Sequence, residues 1–173
     1  MGNGEKTLEL LELLKDDDGE MTFNKFMPMP KELDTTSSPV RDTVPEEERK
    51  ELVEKYGADN WYDWRIKNWG CKWDASESEF WKDGDDWIVS FRTPWGPPVE
   101  FVQALSTKFS NMEFIMQYAD EGMGQPPLGE ANIVNGIVTY DGPDENSDNE
   151  EREAFSDQVW GEEWIDNWKG GNM

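Results

Sequence analysis

Residues 61–97, WYDWRIKNWGCKWDASESEFWKDGDDWIVSFRTPWGP, hold seven of the chain's ten tryptophans: Trp61, Trp64, Trp69, Trp73, Trp81, Trp87 and Trp95. An indole carries a large apolar payload and is seldom left in water. A run this dense therefore predicts a packed centre, with the Trp side chains as core and helix–sheet contacts. The alternative use of such rings is a stacking platform for single-stranded nucleic acid. That use also needs a basic groove, and Arg65, Lys67, Lys72, Lys82 and Arg92 are the cations near the run.

The charge argues against that alternative. Of 173 residues, 16 are Lys or Arg and 39 are Asp or Glu, a formal net charge of −23. A field of that sign repels phosphates and anionic membrane surfaces and attracts basic protein surfaces. Mean hydropathy is −0.89, low enough to raise the question of disorder, but 13% aromatic residues answer it. The expectation is a folded centre with acidic flanks.

The residue inventory excludes several chemistries. There is no His, so the commonest general base is missing. Cys71 is the single cysteine, which rules out an internal disulfide and, with no His, argues against zinc. Cys71 beside Gly70 reads as a small packing residue rather than a nucleophile. Asp74, Glu77, Glu79, Asp83, Asp85 and Asp86 lie close in sequence and could serve a metal-dependent hydrolase, but no spacing sets them on a defined scaffold. Asp144, Glu145, Asp148 and Glu150 miss the spacing of a calcium loop. No catalytic residues, metal ligands or cofactor emerge, and the expectation is a protein that is not an enzyme. MGNGEKTLELLELL is not a signal peptide, and no apolar run reaches membrane length. A soluble, cytoplasmic protein is expected.

Periodicity places the elements. Residues 5–15 read as a helix with Leu10, Leu11, Leu13 and Leu14 inward. A second helix runs from Pro45, at its first position, to Tyr56, with Leu52, Val53 and Tyr56 as its stripe and Gly57 as its stop. Asn60 caps a third, WYDWRIKNW, that ends at Gly70. CKWDA at 71–75 and residues 77–82 read as short strands, and 86–94 as a strand alternating Trp87, Val89 and Phe91 against Ile88, Ser90 and Arg92. A helix follows Pro97-Pro98 with Phe101, Val102, Leu105 and Phe109 buried and Asn111 at its end. Residues 112–119 form a strand, and 130–140 a hairpin about Asn135-Gly136.

FNKFMPMPKEL, WYDWRIKNWGCKWDA, FRTPWGPPVEFVQALSTKF and FIMQYADEGMG occur in that order. Together they resemble a family of small phage- and plasmid-borne Api-type proteins with a ferredoxin-like domain and no established activity. The resemblance covers residues 21–140 and rests on Trp69-Gly70-Cys71-Lys72-Trp73 and on Thr93-Pro94-Trp95-Gly96-Pro97-Pro98. It departs at the start, where MGNGEKTLELLELL stands in place of a first strand with an Asn-Trp-Cys motif, and at Cys71, where the family often has Thr. It implies an α+β fold: a four-stranded antiparallel sheet with helices on one face, preceded by an N-terminal helix at 1–20. Iron–sulfur binding is not implied, since four cysteine-type ligands are lacking.

Residues 141–173 form an acidic tail with eleven acids and two bases, and Phe155, Val159, Trp160, Trp164 and Trp168 recur at helical spacing. Glu150, Glu151, Asp157, Trp160, Glu162, Glu163, Trp164, Asp166 and Trp168 are accordingly the candidate partner-binding residues. The carboxylates would steer association and the indoles would anchor it. The expected partner is a basic host protein that handles nucleic acid, inhibited or redirected by a chain that mimics the charge of DNA.

Overall fold

The computed structural model describes residues 3–41, 44–144 and 146–161. The chain divides into two compact units, one ending at Pro94 and the other starting at Trp95. The division falls inside the 21–140 span expected for one domain.

The first unit contains helices α1 (Asn3–Leu14), α2 (Glu46–Tyr56) and α3 (Trp61–Trp69), a single 3-10 turn at Lys31–Leu33, and strands β1 (Ser76–Asp83) and β2 (Asp86–Arg92). Its core is built on Phe23, which is fully buried with its ring edge-on to Trp69 at 5.5 Å and to Phe91 at 6.0 Å. Trp64 meets Trp69 edge-on at 5.8 Å, and the Trp69 indole N–H donates to the Met27 carbonyl at 3.0 Å. Leu11 and Leu14 of α1, with Met21, Met29, Leu33 and Cys71, complete the core.

One carboxylate holds Phe23 in place. Asp74 accepts from the Phe23 backbone N–H (2.7 Å), the Thr22 hydroxyl (2.8 Å), the Asn24 amide (2.8 Å) and the Ala75 N–H (2.9 Å). This is why 71–75 is not the strand its sequence suggests. Gly70 turns the chain at φ 85°, the Cys71 thiol donates to the Trp73 carbonyl at 3.2 Å, and Asp74 is committed to the 22–24 loop. Regular pairing begins at Ser76. β1 and β2 form an antiparallel hairpin with Trp81 opposite Ile88 and Phe80 opposite Val89.

Helix α2 buries no residue; Val53 of its expected apolar stripe is 49% exposed. Pro45 lies just outside it as the cap rather than at its first position. Ionic ties hold it instead: Arg49 to Asp59 at 2.8 Å and Lys55 to Glu32 at 3.3 Å. The Tyr56 hydroxyl, backbone donation and Lys55 together hold the Glu32 carboxyl down at about 2.

The second unit has helix α4 (Val99–Lys108), strands β3 (Glu113–Ala119), β4 (Leu128–Val134) and β5 (Ile137–Asp141), and helix α5 (Asn149–Trp160). The strands form one antiparallel sheet in the order β3-β4-β5. Asn135 and Gly136, both at positive φ, make the tight turn between β4 and β5. α4 grips that turn: the Gly136 N–H donates to Ser106 Oγ at 2.9 Å, and the Gln103 amide donates to the Gly136 carbonyl at 2.7 Å. Phe101, Leu105 and Phe109 of α4 and Ala131 and Ile133 of β4 are buried. α5 starts on Asp148, which accepts from the Glu151 N–H, and docks through the buried Ser156 hydroxyl, which accepts from the Gly124 N–H at 2.9 Å.

Both helices cover the same sheet face, so the unit is an α+β layer pair. The single four-stranded sheet implied by the resemblance is replaced, among the described residues, by this three-stranded sheet and the separate β1–β2 hairpin. No described helix is long and apolar enough to cross a membrane.

Asp74→Ala should cost about 2–4 kcal/mol, since it leaves the Phe23 N–H and its neighbours without their acceptor. Urea unfolding followed by Trp fluorescence reads this loss. A change below about 0.5 kcal/mol would show that Phe23 is held by packing alone.

Candidate binding sites

The tryptophan run does not become one core. Trp64 and Trp69 are buried, whereas Trp73, Trp81, Trp87 and Trp95 are exposed, Trp95 by 74%. The helix period explains part of this split. α3 starts at Asn60, whose side chain accepts from the Asp63 N–H at 2.9 Å. From that start Trp61 and Arg65 fall on one face, four residues apart.

Gly70 then returns the chain, so that Trp73 stacks on Trp61 with centroids 4.9 Å apart and planes 16° from parallel. The Arg65 guanidinium lies 5.3 Å from the Trp61 ring, 5.0 Å from Trp69 and 5.3 Å from Trp73. Lys72 adds a second cation 5.1 Å from the Trp73 ring.

Met29, Asp34, Trp61, Arg65 and Trp73 line a cavity of ≈ 240 Å³ at this place. Arg65 makes two weak bonds there, from Nε to the Met29 sulfur (3.3 Å) and from Nη1 to the Lys72 carbonyl (3.5 Å). Burial draws its guanidinium below its ordinary value, against the opposing pull of Asp34 and Asp74. The arrangement offers an aromatic surface with a fixed cation, and Asp34 is the one carboxylate among the residues that line it. The sequence carried its signal in Trp61 and Arg65 at helical spacing, with Gly70 and Trp73 to close the turn. Reading every Trp as core concealed it.

The other expected site residues divide. Glu150 and Glu151 stand exposed in the first turn of α5. Asp157 and Trp160 are half-buried nearer its end, and the Trp160 indole N–H donates to the Asp120 carbonyl at 3.1 Å. Trp160 thus helps hold α5 to its own unit. Glu162, Glu163, Trp164, Asp166 and Trp168 lie outside the described residues.

The carboxylates of 74–86 do not converge. Asp74 is structural, Glu77 pairs with Arg92 at 3.0 Å, and Asp83 and Asp86 face each other across the hairpin turn. Among the described residues no three acidic or Cys side chains are grouped to hold a metal ion. Asp144 and Asp148 serve local turns; donation from Asn146 backbone and side chain lowers the Asp144 carboxyl.

Residues 68–161 match the family described as the ferredoxin-like domain in Api92-like protein. The chain belongs to that family. The match begins inside α3, takes in both strand sets and runs through α5, past the boundary expected at 140. No curated protein and no solved structure matches the chain. The Api92-like domain therefore includes Gly70, Trp73 and Asp74, while Trp61, Arg65 and Phe23, their contacts, precede the matched residues.

Trp73→Ala should abolish the exciton couplet of the stacked indoles in the circular dichroism spectrum and cost about 1 kcal/mol. If the couplet survived with full intensity, Trp61 and Trp73 would not be its source.

Proposed function

We propose that this chain is a non-catalytic, acidic binding protein that occupies the basic cleft of a nucleic-acid-handling host protein, in the setting of a phage or plasmid, and inhibits or redirects it. The observation that supports this reading is the surplus of carboxylates. If every Lys and Arg paired with one acid, 23 acids would still be left over. Glu46, Glu47, Glu48, Glu51 and Glu54 all stand exposed on α2, a helix that buries nothing. Fixed carboxylates spread over a folded body offer a basic cleft the kind of field that duplex phosphates offer.

Direct binding of single-stranded nucleic acid is the second reading, and Trp73 with Arg65 and Lys72 favours it. Against it stands the open face of the β3-β4-β5 sheet, which presents Ile115, Val134, Ile137, Glu113 and Glu130 rather than aromatic rings. Stacking modules of this class put aromatics there.

The immobilised full chain should capture a basic protein from bacterial lysate, and short duplex DNA should elute it. Capture should fall at least tenfold between about 50 and about 300 mM salt. Changing the five α2 glutamates to Gln should weaken capture while thermal stability is kept. Capture insensitive to both salt and DNA would sink the reading, and a low-salt gel shift of single-stranded DNA would favour the second one.

A further inference from the structure

A second cavity, also ≈ 240 Å³, lies within the second unit and is lined by Tyr118, Leu128, Gly129, Tyr140, Asp141, Gly142, Pro143 and Asp144. Its chemistry is one-sided. It presents two phenol rings and the Asp144 carboxylate, and no Lys or Arg lines it. Asp141, paired with Glu130, turns its own carboxylate to the open face. Strand register builds it. Tyr118 stands opposite Gly129 on β4, and Tyr140 stands opposite Ala131, so both tyrosines rise on the same sheet face beside a residue without a side chain. Gly129 cannot be replaced without filling this space. Its φ is +148°, and a Cβ there would lie 3.1 Å from the Tyr118 hydroxyl and 3.4 Å from the Pro143 carbonyl.

The Asp144 carboxylate is fixed by Asn146, accepting from its backbone N–H at 2.7 Å and from its side-chain amide at 3.3 Å. It keeps lone pairs for an incoming donor. Burial, followed by the charge of Tyr140, pushes the Tyr118 phenol up, so it stays neutral. Tyr140 is 66% exposed and forms the mouth.

We propose that this cavity receives a guanidinium, the arginine side chain of a basic partner, stacked on Tyr140 and paired with the Asp144 carboxylate. Planar guanidinium suits the site better than ammonium, because it can stack on a ring while giving in-plane donors to both oxygens of one carboxylate. The inference rests on the reading of this chain as a binder of basic proteins, and it names the point where that binding becomes specific. A diffuse acidic surface attracts any cation, whereas a cavity with aromatic walls selects for shape.

Agmatine, a guanidinium on a short aliphatic chain that ends in an ammonium, is the probe, and putrescine, the same chain with an ammonium at both ends, is the control that should bind more weakly. Titrated into the isotope-labelled full chain, agmatine should shift the backbone amides of Gly129, Gly142 and Asp144 saturably, and equal ionic strength of potassium chloride should not. Tyr140→Ala should weaken agmatine at least fivefold, Tyr140→Phe less than twofold, and Asp144→Asn at least threefold. Tyr140 is exposed enough for truncation to leave the fold intact, and the dispersion of the amide spectrum checks this for each variant. Shifts spread evenly over α2 and the other acidic surfaces, or equal affinity for Tyr140→Ala, would overturn the cavity. Partner capture that persists in Tyr140→Ala and Asp144→Asn would also count against the cavity but leave the acidic-binder reading standing. Agmatine seated in the cavity without any salt-sensitive partner would do the reverse.

Discussion

Asp74 is the constraint on which the first unit depends. A carboxylate that accepts four hydrogen bonds, two from backbone N–H groups, exchanges its water shell for fixed donors. In doing so it sets the position of Phe23, and Phe23 is the surface against which Trp69 and Phe91 close. Three of the bonds span 50 to 52 residues of chain. They join an irregular segment rich in Met and Pro, unable to form a central strand, to the turn that follows α3. The segment needs no regular structure of its own because its backbone is satisfied by that side chain and its rings by the indoles.

Local chemistry was readable in the sequence wherever a residue acts on its own neighbours. Asn60 and Gly70 bracket α3 as their capping preferences dictate, Asn135-Gly136 turns the hairpin, and the Phe101, Leu105 and Phe109 stripe faces inward. What was hidden depends on distant partners. Nothing local in CKWDA says that Asp74 will be claimed by residues 22–24, so the alternation there looked like a strand. Nothing in α2 says that Val53 will stand exposed while Arg49 and Lys55 reach ion-pair partners outside the helix. The same limit applied to the two cavities. The Trp61–Trp73 stack requires Gly70 to reverse the chain, and the tyrosine cavity requires a register that sets Tyr118 over Gly129. Of the stripe expected in the acidic tail, Phe155, Val159 and Trp160 fall in α5 while Trp164 and Trp168 lie outside the described residues, and only the fold revealed that Trp160 is tied to Asp120.

The acids fall into two populations with different physics. Asp59, Asp74 and Asp148 sit where donors converge and act as structural pieces. Asp59 is held below its ordinary value by Arg49 and Asn60, against the cost of its own burial. Others, such as Glu46, Glu47, Glu48, Glu51 and Glu54 of α2, stand in solvent, where each interacts weakly with the next and the sum becomes a long-range field. The first population makes the shape, and the second makes the surface on which a partner would be judged.

The uncovered face of the β3-β4-β5 sheet gives that field a further role. Ile115 and Ile137 are 62% and 69% exposed there, and among the described residues no strand neighbours the outer edges of β3 and β5. An apolar surface with open edges invites other sheets to add on. On the same face Glu130 takes bonds from Gln117 and Asn132, a polar ladder that breaks the aliphatic patch. Mutual repulsion between molecules of net charge −23 guards the rest. The charge is therefore also a colloidal safeguard, and it fails where it is titrated away: near the isoelectric point, about pH 4.1, the repulsion that opposes sheet-to-sheet association vanishes.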